Sequence, residues 1–150
     1  MTDEVLELET AADTEALGAA VALSLGRGDV VCLWGGLGAG KTTLARGLIR
    51  ALMGPEEDAP SPTFTLVQTY ETADFPLAHL DLYRLSHADE MRELGLDEAL
   101  EEGAAVIEWP ERLGPRLPPD RLDIRLGIVG EGRVARIERH GGWKERRLGF

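Results

Sequence analysis

A complete phosphate-binding motif lies in the first third of the chain. Residues 35–42 match the pattern G-x-x-x-x-G-K-[ST], and they stand between a predicted strand and a predicted helix. The eight positions are Gly35, Gly36, Leu37, Gly38, Ala39, Gly40, Lys41 and Thr42. In such a loop the glycines allow backbone N–H groups to curl around phosphates, and the helix that follows directs its positive dipole end at them.

The polar side chains at the end of this P-loop indicate which ligand it holds. Lys41 provides a positive charge for the β- and γ-phosphates, the Thr42 hydroxyl is a ligand for Mg²⁺, and Thr43 adds a contact to the α-phosphate. A glycine-rich turn without ligand would explain the glycines but not a Lys-Thr pair at this offset. The motif therefore predicts a site for a nucleoside triphosphate with magnesium.

Two acidic residues at the ends of apolar runs are candidates for the metal side of the site. Asp81 ends the run 77–81, and Glu108 ends the run 104–108. Ligands of α/β sheets bind at the carboxyl ends of strands, where both acids would lie. Glu108 follows the more apolar run and is the preferred Mg²⁺ partner, whereas Asp81 could hold a metal-bound water or orient the attacking water. Each could also be a surface acid at a strand end.

Three further residues near these acids have both functional and structural interpretations. Trp109 follows Glu108 and could shield the reaction from water, although ordinary packing is the simpler interpretation. His79 precedes Asp81 by two positions and is interpreted as a packed histidine rather than a base. Thr63, in the segment 61–63, lies where P-loop proteins place a switch that senses the γ-phosphate, but it could equally begin a strand.

Alternating strand and helix patterns come first in the chain, and hairpin patterns follow. Strands are predicted at 5–9, 30–34, 63–71, 77–83, 104–107, 123–129 and 133–139, and helices at 10–26, after the P-loop to residue 54, and at 86–100. Residues 110–119 are predicted to be irregular, with at most a turn of helix. The pattern predicts a single α/β domain over residues 1–150, a P-loop NTPase-like three-layer sandwich whose mixed sheet has a parallel core and antiparallel hairpins.

Composition limits the class of protein. The chain has 150 residues, of which 43% are hydrophobic and 29% charged, as in a globular domain. The net charge of −11 argues against a surface devoted to nucleic acid. Basic residues are concentrated in 132–150; a solvated edge is the preferred interpretation, and contact with RNA or an acidic partner is the alternative. No apolar run approaches a membrane span and no signal-peptide pattern begins the chain, so a cytoplasmic location is expected. Cys32, the sole cysteine, lies in an apolar run and is interpreted as structural.

Several motifs in a fixed order resemble those of one known family. The P-loop is followed by Ser-Pro-Thr-Phe-Thr-Leu-Val at 61–67, His-Leu-Asp-Leu-Tyr-Arg-Leu at 79–85 and Ile-Glu-Trp-Pro-Glu at 107–111. This order resembles the TsaE (YjeE) family of bacterial ATPases from about Thr14 to Arg133. The resemblance implies an ATP hydrolase required for N6-threonylcarbamoyladenosine in tRNA. It further implies action with two partner proteins, TsaB and TsaD, and with tRNA only through their complex.

The resemblance also implies roles for individual positions. By motif, Mg²⁺ would be bound by Thr42 and Glu108, hydrolysis would be supported by Asp81 and Trp109, Thr63 would belong to the switch-like loop, and Arg133 would lie near the nucleotide. The segment before the first helix would border the base. The tail beyond residue 139 matches no pattern of the family.

Three other functions are weighed against an ATPase. A GTPase normally selects guanine with an Asn-Lys-x-Asp loop, and asparagine is absent from this chain. A small-molecule kinase usually has an arginine-bearing lid, and the loop 54–61 contains no arginine. A docking module that binds ATP as a switch and barely hydrolyses it stays open, because no motif supplies a catalytic arginine. We therefore expect slow ATP hydrolysis by the isolated chain and faster hydrolysis with its partners.

Overall fold

A computed structural model describes residues 3–62, 65–85, 90 and 94–148 of the chain. The strands are Asp3–Leu8 (β1), Val30–Trp34 (β2), Val67–Glu71 (β3), Pro76–Asp81 (β4), Ala104–Glu108 (β5), Arg121–Val129 (β6) and Gly132–His140 (β7). The α-helices are Ala11–Ala22 (α1), Lys41–Met53 (α2) and Leu96–Glu102 (α3), with 3₁₀ segments at Pro110–Arg116 and Gly141–Glu145. None of the described helices is both long and apolar enough to cross a membrane.

The described strands form one seven-stranded sheet in the order β1-β7-β6-β2-β5-β4-β3. Strands β6, β2, β5 and β4 run parallel to their neighbours in this central part of the sheet. The outer pairs β1–β7, β7–β6 and β4–β3 are antiparallel. The predicted mixed sheet, with a parallel core and antiparallel hairpins, is confirmed.

Strand β2 shows how the sheet separates two apolar cores. Val31 and Leu33 pack with α1 and α2, whereas the alternate residues Val30 and Cys32 pack with α3 and the 3₁₀ segment after β5. Because successive side chains of a strand point to opposite faces, the sheet packs helices on both faces and the domain has three layers of helix, sheet and helix. Burial raises the pKa of the Cys32 thiol above its usual value, and the neighbouring charge of Asp123 adds to that rise, so this thiol stays protonated.

Helices α1 and α2 approach each other through glycines. A Cβ atom on Gly18 would lie 2.1 Å from the carbonyl oxygen of Leu44, and one on Gly47 would lie 2.2 Å from that of Glu15. Only residues without a side chain permit this backbone contact. The crossing fixes α2, and therefore the P-loop before it, against the sheet.

Some predicted bounds differ from the observed ones. Helix α1 ends at Ala22 rather than near Gly26, because the buried Leu25 continues the apolar pattern through a turn beyond the helix. Within the helix predicted over 86–100, Leu94 is helical and α3 begins at Leu96, so Gly95, with a φ of 76°, interrupts the predicted helix in the part that the structure describes. The cap predicted for it at 86–89 lies outside the described residues, as does the beginning of the strand predicted from residue 63.

Part of the basic cluster in 132–150 is used within the fold. Arg139 is 7% exposed, and its Nη2 lies 2.6 Å from Glu4 Oε1 on β1. The guanidinium of Arg146 lies 2.9 Å from Asp29 and 3.7 Å from the centre of the Trp143 ring. These arginines tie the end of the chain to the domain, so the cluster is not a uniformly solvated edge.

Candidate functional site

The P-loop adopts a conformation that requires glycine at particular positions. Gly35 has a φ of 145°, and a Cβ atom there would lie 2.6 Å from the carbonyl oxygen of Leu126. Gly40 has a φ of 108° and precedes the first residue of α2. Because these φ values disfavour other residues, the two glycines set the curve of the loop and the start of the helix. The N–H groups at that helix start are available to an anion.

The lysine of the motif lies folded against its own loop. Lys41 is 5% exposed, and its Nζ donates hydrogen bonds to the carbonyl oxygens of Gly35 at 2.6 Å and Gly36 at 2.8 Å. Burial lowers the pKa of Lys41, and the negative charges of Glu108 and other acids near it oppose that shift. A phosphate group would offer this buried ammonium a stronger partner than two neutral carbonyls.

The two predicted acids lie side by side. Asp81 ends β4 and Glu108 ends β5, and the two residues are paired in the parallel register of these strands. Asp81 is 5% exposed and Glu108 is 2% exposed. Both contribute to the wall of the cavity that also contains Lys41 and Thr42. Parallel pairing thus brings together two acids that are far apart in sequence.

Thr42 and Glu108 form an oxygen pair suited to magnesium. The Thr42 Oγ1 hydroxyl, in the first turn of α2, donates a hydrogen bond of 2.8 Å to Glu108 Oε1. A hydroxyl and a carboxylate are hard oxygen ligands of the kind that Mg²⁺ prefers, and in P-loop proteins these two groups share the ion. The chemistry of this pair fits the predicted ion, so the Mg²⁺ assignment stays a proposal with a structural basis.

His79 was missed as a site residue by the sequence interpretation. It is fully buried on β4, and its Nε2 lies 2.6 Å from Glu108 Oε2. The buried Nδ1 has no hydrogen-bond partner among the described residues. His79 is packed, as the sequence suggested, but it also holds the acid that faces Thr42. The available signal was its spacing from Asp81, because residues two apart on a strand share a face.

Asp81 is held by two donors. Ser61 Oγ donates to Asp81 Oδ2 at 2.9 Å, and the backbone N–H of Tyr83 donates to Oδ1 at 3.0 Å. These contacts fix the carboxylate beside Glu108 and link it to the loop that precedes β3. Thr63, the predicted switch residue of that loop, lies outside the described residues, so its role stays a prediction.

Trp109 covers the lysine of the P-loop. Lys41 Nζ lies 4.0 Å from the centre of the Trp109 ring, within the range of a cation–π contact. The Tyr83 ring packs against Trp109 with 4.8 Å between ring centres. Trp109 has a φ of 59°, which is rare for a residue with a large side chain and indicates strain held by these contacts. The ring is therefore part of the site rather than of the distant core.

Arg133 reaches the P-loop from the opposite side of the cavity. Its Nη2 and Nε donate to the carbonyl oxygen of Gly38 at 2.9 and 3.2 Å. Its Nη1 donates to the carbonyl oxygen of Gly132 at 2.9 Å. Arg133 thus fixes the tip of the loop by direct hydrogen bonds from the β6–β7 hairpin.

These elements enclose a cavity of about 660 Å³. Its wall includes Leu37, Gly38 and residues 40–43 around the P-loop, the two strand-end acids, Trp109 and Arg133. Gly35, Gly36 and Ala39 are not part of the wall and act through the shape of the loop. Leu8, Thr10 and Thr14 close another side, which is where the segment before the first helix was expected to border the base.

The sequence as a whole matches one protein family. A sequence model described as "Threonylcarbamoyl adenosine biosynthesis protein TsaE" matches residues 8–135. The chain belongs to the TsaE family. It is 40% identical over 129 residues to the tRNA threonylcarbamoyladenosine biosynthesis protein TsaE of Rickettsia felis, a match that covers 86% of this chain and 75% of that protein. It is 38% identical to the protein of the same name from Bacillus subtilis, over 79% of this chain and 74% of that protein.

The fold agrees with a solved structure. The crystal structure of Bacillus subtilis YdiB superposes with a TM-score of 0.81 and 30% sequence identity, covering 97% of this chain and 91% of that one. The region matched by the TsaE family contains the P-loop, both strand-end acids, His79 and Arg133. The TsaE match ends before the last residues of β7, so the end of that strand lies outside the family pattern.

Proposed function

We propose that this TsaE-family chain hydrolyses ATP with Mg²⁺ and thereby supports formation of N6-threonylcarbamoyladenosine in tRNAs that decode ANN codons. Membership of the family and the names of its curated relatives support the place in tRNA modification. One observation carries the hydrolase: Thr42 Oγ1, after a complete P-loop, lies 2.8 Å from the carboxylate of Glu108 at the end of an adjacent strand.

Each residue of the site has a role in this proposal. Lys41 and the N–H groups at the start of α2 bind the phosphates. Thr42 and Glu108 hold Mg²⁺, which when bound supplies positive charge that offsets the charge of the phosphate oxygens. Asp81, fixed by Ser61 and a backbone N–H, accepts a hydrogen bond from the attacking water and orients it.

The partners in the proposal are TsaB and TsaD, and tRNA is reached through their complex. P-loop enzymes often depend on a partner to complete the site, and an arginine supplied in this way accelerates turnover strongly. We therefore expect slow hydrolysis by the isolated chain. A switch that binds ATP and docks without hydrolysis is the second candidate, because no motif supplies a catalytic arginine and Arg133, which reaches the P-loop, donates to the carbonyl oxygens of Gly38 and Gly132.

Reconstitution separates these two functions. Phosphate release is measured with ATP and Mg²⁺ for the chain alone and with TsaB and TsaD, and modified tRNA is counted over repeated rounds. We expect release to rise on mixing, and modification to continue past one round only when this chain is present. Phosphate release at background in both conditions, with ATP still bound, would establish the switch and refute the hydrolase.

Two variants and one control assign the roles. Lys41→Ala should weaken ATP binding by about 10- to 100-fold, since a hydrogen bond to a charged group contributes roughly 1.5–3 kcal/mol. Glu108→Gln should retain nucleotide binding but lose Mg²⁺-dependent turnover. Glu101→Gln, an exposed acid on α3, is the matched control and should behave as wild type. Equal turnover in wild type and Glu108→Gln would show that another acid holds the metal.

A further inference from the structure

A second group of side chains of the types that ligate metals lies on the sheet away from the P-loop. Asp123 on β6 is paired with Glu138 on β7 in the antiparallel register, and His140 follows Glu138 by two residues. Residues two apart on a strand share a face, so the three side chains point to the same side of the sheet. We name Asp123, Glu138 and His140 the β6–β7 triad.

The ligand atoms of the triad are close together. His140 Nε2 lies 3.0 Å from Asp123 Oδ2 and 3.9 Å from Glu138 Oε1. The three atoms all lie within 4.8 Å of one another. In a tetrahedral zinc site with bonds of about 2.0–2.2 Å, ligand atoms are separated by roughly 3.3–3.6 Å. Small rotations of the side chains would bring the triad to that spacing.

Two of these atoms are buried without a hydrogen bond. Asp123 is 0% exposed, and neither its Oδ2 nor His140 Nε2 has a hydrogen-bond partner among the described residues, although the two atoms face each other. The two atoms lie at ion-pair distance, and an imidazole protonated at Nε2 would attract the carboxylate; with Nε2 unprotonated both atoms are acceptors, and a cation between them would then offset their repulsion. Buried polar atoms normally have a hydrogen-bond partner, so the two unbonded atoms of the triad need an explanation.

Neighbouring arginines orient the carboxylates but leave this position open. Arg121 Nε donates at 3.0 Å to Asp123 Oδ1, the carboxylate oxygen other than the one that faces His140. Arg125 Nε lies 3.1 Å from both oxygens of Glu138, and its Nη2 is 3.9 Å from Asp123 Oδ2. Partners of this kind fix the orientation of metal ligands. Their positive charges also oppose a bound cation, so affinity should be lower than in a site without arginine.

We propose that the β6–β7 triad binds a divalent transition-metal ion of the zinc class. One imidazole and two carboxylates are ligands that suit zinc and its neighbours in the first transition row. The side chains of His140 and Glu138 are 36% and 20% exposed, which gives the ion a path from solvent. The ion links β6 to β7 and stabilises the fold.

The triad is separate from the nucleotide site. His140 is seven residues from Arg133 along β7, a distance of roughly 23 Å at about 3.3 Å per strand residue. Glu138 and His140 also lie beyond the residues that match the TsaE family. The proposal therefore does not depend on the ATPase proposed above, and the two can fail independently.

Zinc titration of the full chain tests the proposal. Protein treated with a chelator and then exchanged into metal-free buffer is titrated with ZnCl₂ by calorimetry, with melting temperature as a second measurement. We expect one equivalent to bind, and melting to rise by about 5–10 °C at a hundredfold excess of free zinc over Kd. His140→Gln should lower affinity at least tenfold, since loss of even an outer-shell partner costs about 10- to 100-fold.

The controls separate the triad from other sites. Glu138→Gln should also weaken zinc binding, whereas the exposed Glu101→Gln should not. Zinc binding should persist in Glu108→Gln, which removes the carboxylate of the nucleotide site. The proposal is refuted by absence of stoichiometric binding, by equal affinity in wild type and His140→Gln, or by loss of binding in Glu108→Gln alone. It is also refuted if zinc has no effect while the pH dependence of melting disappears in His140→Gln, because a proton would then occupy the position.

Discussion

The contact between His79 and Glu108 can be tested by replacing the histidine with leucine. His79 is fully buried, and its Nε2 is 2.6 Å from Glu108 Oε2. His79→Leu fills a similar apolar space but removes the donor, so the buried carboxylate keeps its bond to Thr42 and loses the one on Oε2. The variant thus asks whether His79 positions the acid or only packs.

The expected effect has a stability part and a functional part. Loss of a hydrogen bond to a buried charged group costs about 1.5–3 kcal/mol. At roughly 2–4 °C per kcal/mol for a chain of this size, the melting temperature should fall by about 3–12 °C. Loss of a partner that orients a metal ligand costs about 10- to 100-fold in metal affinity or activity. The Mg²⁺ concentration for half-maximal turnover of the His79 variant should rise by that factor.

The assay is phosphate release at saturating ATP across a magnesium titration, with the TsaB–TsaD pair present. His79→Gln is the matched variant, because the amide nitrogen of glutamine reaches about the position of the imidazole Nε2 and can donate to the same oxygen. We expect His79→Gln to retain most of the wild-type magnesium response. ATP binding without magnesium should be similar in all three proteins.

A lower melting temperature with an unchanged magnesium midpoint in His79→Leu would refute the positioning role. It would show that the histidine contributes packing alone, which was the interpretation from sequence. Equal magnesium midpoints in the leucine and glutamine variants would have the same meaning, because only the glutamine keeps a donor near Glu108.

Three further predictions follow from the geometry. ATP affinity, measured by calorimetry over the alkaline range, should fall as pH rises through the lowered pKa of Lys41, because only the protonated amine attracts phosphate. The Lys41→Arg variant stays charged over that range and should show no such fall. Gly18→Ala places a Cβ 2.1 Å from the Leu44 carbonyl oxygen and should cost about 1–3 kcal/mol or more in urea unfolding, whereas Gly26→Ala, with its nearest atom at 3.8 Å, should be nearly neutral. Arg133→Lys loses the paired donation to the Gly38 carbonyl oxygen and should raise the ATP Kd by roughly 2- to 12-fold in equilibrium binding, since a hydrogen bond contributes about 0.5–1.5 kcal/mol.

Sequence alone predicted those parts of the site that local chemistry fixes. Glycines followed by Lys41 and Thr42 between a strand and a helix predicted a P-loop, and the apolar runs ending in Asp81 and Glu108 predicted acids at strand ends. Because parallel strands present their carboxyl ends at one edge of the sheet, both acids were expected to lie near the loop. Glu108 was preferred over Asp81, and in the structure it is Glu108 that contacts Thr42.

Other parts of the site depend on long-range pairing, which a single sequence does not contain. His79 meets Glu108 only because β4 and β5 are adjacent and in a particular register. The positive φ of Trp109, which is unusual for a large side chain, accompanies contacts with Lys41 and Tyr83 that no local sequence pattern indicates. These contacts come from tertiary structure, which overrides the tendencies of short segments.

The two proposed metal sites lie on opposite faces of the sheet, because successive side chains along a strand point to alternate faces. On β6, Leu122 and Ile124 pack on the same side as α1 and α2, so Asp123 between them faces the other side. On β5, Val106 packs on the α1–α2 side, and Glu108, two residues on, faces that side and meets Thr42. We therefore expect an ion at the β6–β7 triad to influence ATP hydrolysis only through the stability of the fold. His140→Gln should leave the magnesium midpoint of turnover unchanged and His79→Leu should leave zinc affinity unchanged, and a crossed effect in either variant would show that the sites are coupled through the sheet.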